Sequence, residues 1–346
     1  MRAAVFHEYG GPECLSCETL PDPEPGPDEV VIRLDTVGLN HFDIDIRAGV
    51  AGIPTPLPHT LGLEGAGEIA AVGGEVRAFR PGDRVAPVFS LSAGRCGETV
   101  CYCQRGQDNL CAVGGILGVT APGTYAEYVK VAAHNCLPLP DGLSFEAASA
   151  VQVTMGTAWQ MLVDQIRVRP GETVLVNAAG GGIGTAAIQI ARLCGARVIA
   201  SAGSDDKLRR AQALGAHETV NYREADLAQA VRDLTGGRGA DAVVENVGGD
   251  ILTASLAALA AGGRVATCGA HAGETVPIDI IDLFRRQLVL HGTHGAGQAQ
   301  IAEVYRLVAA GELVPQIHTR MPLAEAADAH RLAESRDFFG KILLTP

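Results

Sequence analysis

A glycine-rich turn between a short apolar run and an apolar helix-forming stretch constrains this chain more than any other feature. The run "TVLVNAA" is typical of a buried strand, and "GGGIGTAAIQIARLCG" follows it directly. Glycines at such a junction let the chain turn tightly and bring backbone N–H groups against a pyrophosphate at the positive end of the helix. The surrounding strand, turn and helix are the context that this motif requires. The turn therefore predicts a dinucleotide site, with an unliganded glycine turn as the alternative.

The stretch from Gly171 onward alternates short apolar strands with helix-like segments. Strands such as "ARVIASA" and "ADAVVENVG" are separated by helical stretches such as "DKLRRAQALG" and "ILTASLAALA". Alternation at this pitch indicates βαβ units, in which helices cover both faces of a twisted parallel sheet. The prediction for this region is an α/β, doubly wound Rossmann domain.

The first 135 residues have a different pattern. Runs such as "EVVIRLDTVG" and "DRVAPVF" lie between turn signals such as "PGPDE" and "RPGDR", which indicates a β-rich, barrel-like region. A doubly wound sheet is normally complete after six strands, so the tail with its last strand "KILLTP" is expected to return to this region. We therefore predict a β-rich domain from residues 1–150 and 297–346, and a Rossmann domain from residues 151–296.

The length and charge of the chain limit its partners. A chain of 346 residues favours two domains, and a formal charge of −12 opposes the basic surface that nucleic acid or anionic lipid selects. The start "MRAAVFHEYGG" lacks the apolar segment of a secretory signal, and the apolar runs are too short for a membrane span. We expect a cytoplasmic protein whose partner is a small molecule, not nucleic acid or a membrane.

The end of the second Rossmann strand bears on cofactor choice. NAD selection usually places an acidic residue there, whereas this chain has "VIASAGSDDK", with Ser204 and then Lys207. Small hydroxyl residues and a lysine suit a 2′-phosphate. Asp205 and Asp206, as the first residues of a helix, are better explained as partners of its dipole. The pattern predicts NADPH over NADH.

The order of these features resembles the medium-chain dehydrogenase/reductase superfamily over essentially the whole chain. The motifs that carry the resemblance include "GLNHFDIDIRAG", "PHTLGLEGAGEIAAVG", "PGDRV", "GTYAEYV", "LGAHETVNY" and "FGKILL", and the "LN" and "AGS" signatures are similar to its quinone oxidoreductase branch. The resemblance implies that the β-rich domain is GroES-like and catalytic.

The same resemblance implies that a catalytic zinc is absent. Zinc alcohol dehydrogenases of this superfamily hold the metal with side chains whose positions here are Asn40, Leu63 and Val153. Zinc needs three protein ligands beside its open position, and leucine and valine offer none. Glu64 and Asp43 are interpreted as supporting residues and not as ligands.

Four cysteines within "RCGETVCYCQRGQDNLC" raise three alternatives: a disulfide framework, a catalytic or redox centre, and a structural metal site. An intracellular chain disfavours disulfides. The cluster resembles the structural zinc lobe of the superfamily from Cys103 to Cys111, but Cys96 and Cys101 are displaced, and Gly97 and Val100 stand where that pattern has thiols. A structural zinc and an empty, reduced or partly oxidised lobe both stay open. The predicted ligands are Cys96, Cys101, Cys103 and Cys111.

Without a metal, hydride transfer needs an acceptor that is already electrophilic, such as a quinone or an α,β-unsaturated carbonyl, whose oxyanion is stabilised by hydrogen-bond donors. Asn40 is the leading donor candidate, with an amide that fixes a loop as its alternative role. His41 is a second donor candidate or a purely structural histidine. Asp45 stands where related enzymes often have a tyrosine, and it is either a proton donor or a solvated carboxylate.

The resemblance also assigns the cofactor contacts by motif position. Thr157 is expected to face the nicotinamide, and Lys341 to reach the pyrophosphate from the tail. The full set of predicted cofactor residues is Thr157, Gly181, Gly182, Ile183, Gly184, Ser204, Lys207, Tyr222 and Lys341.

Three functions follow from these predictions. The first is a zinc-independent, NADPH-dependent reductase of quinones or conjugated carbonyls. The second is an alcohol dehydrogenase or aldehyde reductase of the same superfamily, and the third is a non-catalytic NADPH-binding protein, because a fold alone does not define a function.

The run "RRQLVLHGTH" is predicted to form the sixth Rossmann strand at the outer edge of the sheet. An exposed apolar edge must be covered or paired, and the superfamily commonly pairs this edge across a two-fold axis. A homodimer is expected, with a tetramer as a larger assembly and an edge capped by its own chain as the alternative.

Overall fold

The computed structural model describes residues 1–96 and 101–346, and the chain divides into two compact units. Unit 1 comprises Met1–Val153 and Ala296–Pro346, and unit 2 comprises Thr154–Gly295. Among the described residues, no helix combines the length and the apolar character that crossing a membrane requires.

Strands are the main regular elements in the first part of unit 1. The β-branched, apolar runs of the sequence form them, and the turn "RPGDR" lies between two of them. Among the described residues of this part, one α-helix lies between the strands, where the motif "NHFDIDIRAG" begins, and the other helical segments are short 3₁₀ turns. The elements are β1 (Arg2–Phe6), β2 (Leu15–Thr19), β3 (Glu29–Gly38), α1 (His41–Ala48), β4 (His59–Thr60), β5 (Glu64–Val72), β6 (Arg84–Pro87), β7 (Ser90–Leu91), β8 (Gly115–Ile116), β9 (Tyr128–Ala132) and β10 (Cys136–Pro138).

Unit 2 alternates strands and helices as the sequence predicts. The helix α2 (Phe145–Trp159) contains the boundary between the units. The elements that follow it are β11 (Thr173–Val176), α3 (Gly182–Leu193), β12 (Arg197–Ala202), α4 (Asp205–Ala213), β13 (Glu218–Asn221), α5 (Leu227–Leu234), β14 (Ala240–Glu245), α6 (Gly249–Ala258), β15 (Leu259–Thr267), α7 (Ile280–Arg285) and β16 (Val289–Gly292).

The six strands of unit 2 form one parallel sheet in the order β13-β12-β11-β14-β15-β16. The chain moves outward from β11 first to one side and then to the other, so the direction of winding reverses between β11 and β14. In open α/β sheets, ligands bind outside the carboxyl ends of the strands at this switch point. The predicted doubly wound Rossmann fold is confirmed, and β16 is the last strand in its order.

The tail returns to unit 1 and completes its main sheet. It consists of α8 (Gln298–Ala309), β17 (Ile317–Pro322), α9 (Ala326–Ser335) and β18 (Lys341–Thr345). Strand β18 pairs antiparallel with β3, so the order of the main path is β10-β6-β5-β3-β18-β17, with β9 also paired to β3. The pairing brings Lys341, at the start of β18, beside residues that lie some 300 positions earlier in the chain.

Candidate active site and cofactor site

A buried ion pair lies in unit 1 where α1 begins and β5 starts. The ammonium of Lys341 donates to Glu64 Oε1 at 2.6 Å, to Asn40 Oδ1 at 2.8 Å and to the carbonyl oxygen of Leu39 at 2.6 Å. Both charged side chains are almost fully inaccessible to solvent, at 5% and 0% exposure. All three hydrogens of the ammonium therefore have acceptors inside the unit.

Both carboxylate oxygens of Glu64 also accept hydrogen bonds from other residues. Asn40 Nδ2 donates to Glu64 Oε1 at 2.9 Å, and the backbone N–H of Val153 donates to Oε2 at 2.8 Å. A buried ion pair is tolerated only when hydrogen bonds satisfy its remaining groups, and this arrangement meets that condition. Lys341, Glu64 and Asn40 form a closed cluster, which we call the lysine cluster.

These contacts differ from two roles that the sequence analysis predicts. The Asn40 amide donates to Glu64 and, at 3.5 Å, to the Gly38 carbonyl, so a bond to a substrate oxygen requires it to exchange a partner. The amide instead fixes a loop, which was its alternative role. Lys341 likewise points into unit 1, and a contact with a pyrophosphate requires it to leave Glu64.

His41 and Asp45 lie one helical turn apart on α1 and remain partly accessible. The distance from His41 Nε2 to Asp45 Oδ1 is 3.7 Å, and the two side chains are 38% and 26% exposed. Burial lowers the pKa of His41, and the neighbouring Asp45 opposes that shift. A neutral imidazole at this position can donate one hydrogen bond to a substrate oxygen.

Asp43, which lies between His41 and Asp45 on α1, is fully buried. Burial raises the pKa of its carboxyl to about 7, against hydrogen bonds from the backbone N–H groups of Asn40 and Gly62. These bonds tie the start of α1 to the segment that leads into β5. Sequence reasoning interpreted Asp43 only as a supporting residue, and its contacts agree with that interpretation.

The cysteine lobe also belongs to unit 1. The Sγ atoms of Cys96, Cys101 and Cys103 all lie within 4.8 Å of one another, and the thiols of Cys103 and Cys111 interact with each other. A backbone hydrogen bond, followed by the contact with Cys96, lowers the pKa of Cys101 to about 7. A cluster of four thiols, one readily deprotonated, fits the donor set of a structural zinc.

The lobe is attached to the tail of the chain. Both carboxylate oxygens of Asp108 accept from the backbone N–H of Gln298, the first residue of α8, at 3.1 Å each. Gly97 and Val100, which the sequence analysis compared with the zinc pattern, lie outside the described residues.

In unit 2, the turn between β11 and α3 differs in its backbone geometry from what its glycines suggest. The left-handed residue of the turn is Ala178, at φ 48°, and not a glycine. Gly184 is needed for close packing, because a Cβ atom there would lie 2.3 Å from the carbonyl oxygen of Ala178. A Cβ atom on Gly181 would meet nothing closer than 3.4 Å, so this glycine leaves an open approach to the backbone.

A basic and hydroxylic cluster surrounds Gly203 at the carboxyl end of β12. A Cβ atom on Gly203 would lie 2.8 Å from Tyr222 Oη and 2.9 Å from Arg223 Nε, and the alkyl chain of Lys207 lies against Gly180. Ser204 is the N-cap residue of α4. Two cations, a phenol and a hydroxyl at this strand end suit a phosphate monoester better than a pair of ribose hydroxyls.

Arg223 and Asn246 are two further candidates that sequence reasoning missed. Arg223 follows β13, and parallel neighbours bring their carboxyl ends to one edge of the sheet, so the "NYR" sequence after that strand carried the signal. Asn246 follows β14 at the switch point. Its Oδ1 atom is buried and, among the described residues, has no hydrogen-bond partner. An unpaired buried acceptor at this edge fits a ligand that supplies a hydroxyl or amide donor.

Two family descriptions match separate parts of the sequence. Residues 26–141 match "Alcohol dehydrogenase GroES-like domain", and residues 182–310 match "Zinc-binding dehydrogenase". A quinone oxidoreductase from Pseudomonas aeruginosa is 34% identical, over 99% of this chain and 98% of that protein.

The chain belongs to the medium-chain dehydrogenase/reductase superfamily.

Solved structures of this superfamily include a protein described as an NAD-dependent alcohol dehydrogenase, which is 49% identical with a TM-score of 0.94 over 100% of both chains. The Escherichia coli quinone oxidoreductase complexed with NADPH is 28% identical, with a TM-score of 0.84, again over 100% of both chains. This medium-chain protein is therefore an oxidoreductase enzyme, and the non-catalytic hypothesis is set aside. The predicted superfamily and the GroES-like character of the β-rich domain are confirmed.

Proposed function

We propose that this medium-chain enzyme transfers hydride from NADPH to quinones or α,β-unsaturated carbonyls without a catalytic zinc. The lysine cluster carries the proposal. At the positions that hold the metal in zinc relatives, Leu63 is buried in the apolar core, Val153 contributes only its backbone N–H, and Asn40 is bonded to Glu64 and Lys341. This donor set does not fit zinc, so polarisation of an unactivated carbonyl has no metal to rely on.

The nicotinamide cofactor supplies the hydride, and the protein supplies orientation and hydrogen bonding. In unit 2, the open face of Gly181 and the start of α3 suit the pyrophosphate. Lys207, Tyr222 and Arg223 suit the adenosine 2′-phosphate, and the unpaired Asn246 Oδ1 suits a ribose hydroxyl. In unit 1, His41 is the candidate that donates to the developing oxyanion, with Asp45 beside it as the group that orients the imidazole.

A structural zinc in the cysteine lobe belongs to the same proposal. Cys96, Cys101, Cys103 and Cys111 would hold it, and Asp108 ties the lobe to α8. The metal would then stabilise the lobe and take no part in hydride transfer.

An NAD-dependent alcohol dehydrogenase is the second candidate. The observation that favours it is the 49% identity to a structure described in those terms. The basic cluster around Gly203 and the mismatch of Leu63 and Val153 with zinc ligation favour the first candidate.

The deciding experiment compares the oxidation of NADPH and of NADH with a benzoquinone, an alkenal, a saturated aldehyde and no acceptor. We expect turnover of the quinone or the alkenal with NADPH at least about tenfold more efficiently than with NADH, which corresponds to about 1.4 kcal/mol. Turnover confined to the saturated aldehyde with NADH would replace the proposal with the second candidate.

The same assay, repeated after chelation, distinguishes a structural zinc in the cysteine lobe from a catalytic zinc. We expect at most one zinc per chain by elemental analysis, and hydride transfer that persists when the metal is removed and the fold is retained. Two zinc ions per chain, or activity lost in a folded, zinc-free sample, would contradict a metal-free reacting centre.

A further inference from the structure

A second polar network runs through unit 1 from the surface of α9 to Asp43, and the proposed reaction does not use it. Arg47 forms an ion pair with the half-exposed Glu334, and its Nη1 lies 3.0 Å from His330 Nδ1. His330 Nε2 lies 3.3 Å from Tyr125 Oη, and Tyr125 Oη lies 3.4 Å from Asp43 Oδ2. Arg47, His330, Tyr125 and Asp43 are each at most 2% exposed.

The chemistry of the four groups fixes the direction of the hydrogens. A guanidinium only donates, so the Nδ1 atom of His330 must accept from Arg47. Burial, and secondarily the charge of Arg47, lowers the pKa of His330 to about 3, so the ring is neutral with its single hydrogen on Nε2. That hydrogen is donated to Tyr125 Oη, which leaves the phenolic hydrogen directed at Asp43. Every hydrogen in the network points toward the carboxyl group of Asp43.

Asp43 has donors on all sides. Its Oδ2 accepts from the Asn40 N–H at 2.8 Å as well as from Tyr125, and its Oδ1 accepts from the Gly62 N–H at 3.2 Å. A proton on Oδ2 would compete with two donors, because Tyr125 cannot turn its hydrogen toward His330 while Arg47 occupies Nδ1. The nearby charges are those of Lys341, which favours the carboxylate, and of Glu64, which opposes it.

We propose that Arg47, His330 and Tyr125, which we call the relay, are positioning residues that direct a hydrogen-bond donor at the Asp43 carboxyl and favour its ionised form, and that this carboxyl in turn fixes the backbone of Asn40 and Gly62. Asn40 is the N-cap residue of α1, the helix that carries His41 and Asp45, and Gly62 leads into Glu64. The relay therefore sets the positions of both segments that form the reacting centre. All of these residues belong to unit 1, so the relay acts on the geometry of that unit whichever reaction takes place at this site.

The test removes the phenolic hydroxyl with Tyr125→Phe. Because burial gives Asp43 a native pKa near 7 while the unfolded chain has about 3.9, Asp43 binds more protons when folded between these values, and its contribution to stability falls as pH rises through that window. Loss of a donor to the carboxylate raises the native pKa of Asp43 further. The loss of stability with rising pH then continues above pH 7. We expect the gap in melting temperature between Tyr125→Phe and the unchanged protein to at least double from pH 5.5 to pH 8.5.

Tyr305→Phe is the matched control, because Tyr305 is also buried in unit 1 and its hydroxyl accepts from Gln152 Nε2 at 3.1 Å, outside the relay. Its melting temperature should fall by a similar amount at every pH. An equally constant gap for Tyr125→Phe would overturn the proposal.

In the Asp43→Asn background, the pH dependence of the gap should disappear, and its persistence would assign the effect to another group. If Tyr125→Phe does not fold, His330→Gln replaces it, because His330 is the next member of the relay after Tyr125. The same pH dependence of the gap in melting temperature is expected for this variant.

The pH profile of kcat/KM gives a second readout. Tyr125→Phe should shift the acid limb upward by about one pH unit, whereas Tyr305→Phe should leave it in place. An unmoved limb in Tyr125→Phe would show that the relay does not reach the reacting centre. If the unchanged protein oxidised neither cofactor, the proposed function would fail, while the melting data would still decide the relay.

Discussion

At the residue scale, the distinction between NADPH and NADH depends on side chains from two neighbouring strand ends. Lys207 comes from the first turn of α4 and lies against Gly180, and Arg223 follows β13 and lies against Gly203. A phosphate monoester adds a doubly charged group that these cations can pair with, so the two cofactors should respond differently when either cation is removed.

Lys207→Ala and Arg223→Ala should each weaken NADPH binding about 10- to 150-fold and change NADH binding by less than about threefold. The expected loss is that of one hydrogen bond to a charged group, about 1.5 to 3 kcal/mol. Fluorescence titration of both cofactors measures the two dissociation constants. Arg209→Ala, which removes an exposed cation of the same helix that is paired with Asp206, is the control and should change neither constant. Equal losses for NADPH and NADH would show that the cluster does not bind the 2′-phosphate.

The lysine cluster makes a separate prediction about stability. Lys341→Met should lower the free energy of unfolding by about 3 to 5 kcal/mol, because it leaves Glu64 as a buried charge without its ammonium partner. The double variant Glu64→Gln/Lys341→Met should recover a large part of that loss. Urea unfolding provides the measurement, and the exposed pair Arg33–Glu68 is the control, where Arg33→Met should cost at most about 1 kcal/mol. A Lys341→Met variant as stable as the unchanged protein would contradict the buried pairing.

At the element scale, one glycine near the turn between β11 and α3 is required for packing, and another is available for ligand binding. Gly184 is confined by the Ala178 carbonyl oxygen, whereas Gly181 has open space where its side chain would be. The same substitution at the two positions should therefore have opposite consequences for the fold and for the cofactor.

Gly181→Ala should leave the melting temperature within about 2 °C of the unchanged protein and still weaken NADPH binding at least tenfold, because a methyl group would stand in the path of the pyrophosphate. Gly184→Ala should lower the melting temperature markedly, because its Cβ atom would lie 2.3 Å from a carbonyl oxygen. Calorimetry and cofactor titration measure the pair together. A Gly181→Ala variant that bound NADPH normally would place the pyrophosphate elsewhere.

The elements also show which features the sequence could predict. Alternating strands and helices, and the turn before α3, follow from local patterns, so the Rossmann sheet and the returning β18 were predicted correctly. The lysine cluster and the relay could not be predicted, because they join residues such as Lys341 and Asn40, which are 301 positions apart, and Arg47 and His330, which are 283 apart. No local pattern specifies which buried acceptor a distant lysine or arginine will meet. The sequence signals for Ser204, Lys207 and Tyr222 were local, and the neighbour they lacked, Arg223, was one residue away.

At the scale of the whole molecule, β16 is an edge strand whose apolar residues are exposed to solvent. Val289 and Leu290 of β16 are 42% and 38% exposed, and Ile280, Ile281 and Phe284 of α7 are 53% to 61% exposed. An apolar edge of this kind favours pairing with a second copy across a two-fold axis, which remains our proposal for the assembly. A tetramer would need a further surface.

Phe284→Glu should therefore shift the protein from dimer to monomer at micromolar concentration, because the same charge would be buried twice in a symmetric interface. Sedimentation velocity measures the shift. Leu193→Glu, at a similarly apolar and 44% exposed position at the end of α3, is the control and should leave the dimer intact. An unchanged protein that sediments as a monomer would refute the edge-pairing proposal.

The return of β18 to β3 has a consequence for the order in which the chain acquires its structure during synthesis. Unit 2 is contiguous in sequence, so all of its strands have been translated before α8 emerges from the ribosome. Unit 1 is incomplete until β18 is translated: before then Glu64 has no ammonium partner, and Val37 and Gly38 at the end of β3 lack the strand that pairs with them. We therefore expect unit 2 to fold first during synthesis, and unit 1 to complete its fold only after translation of β18 supplies the partner of Glu64.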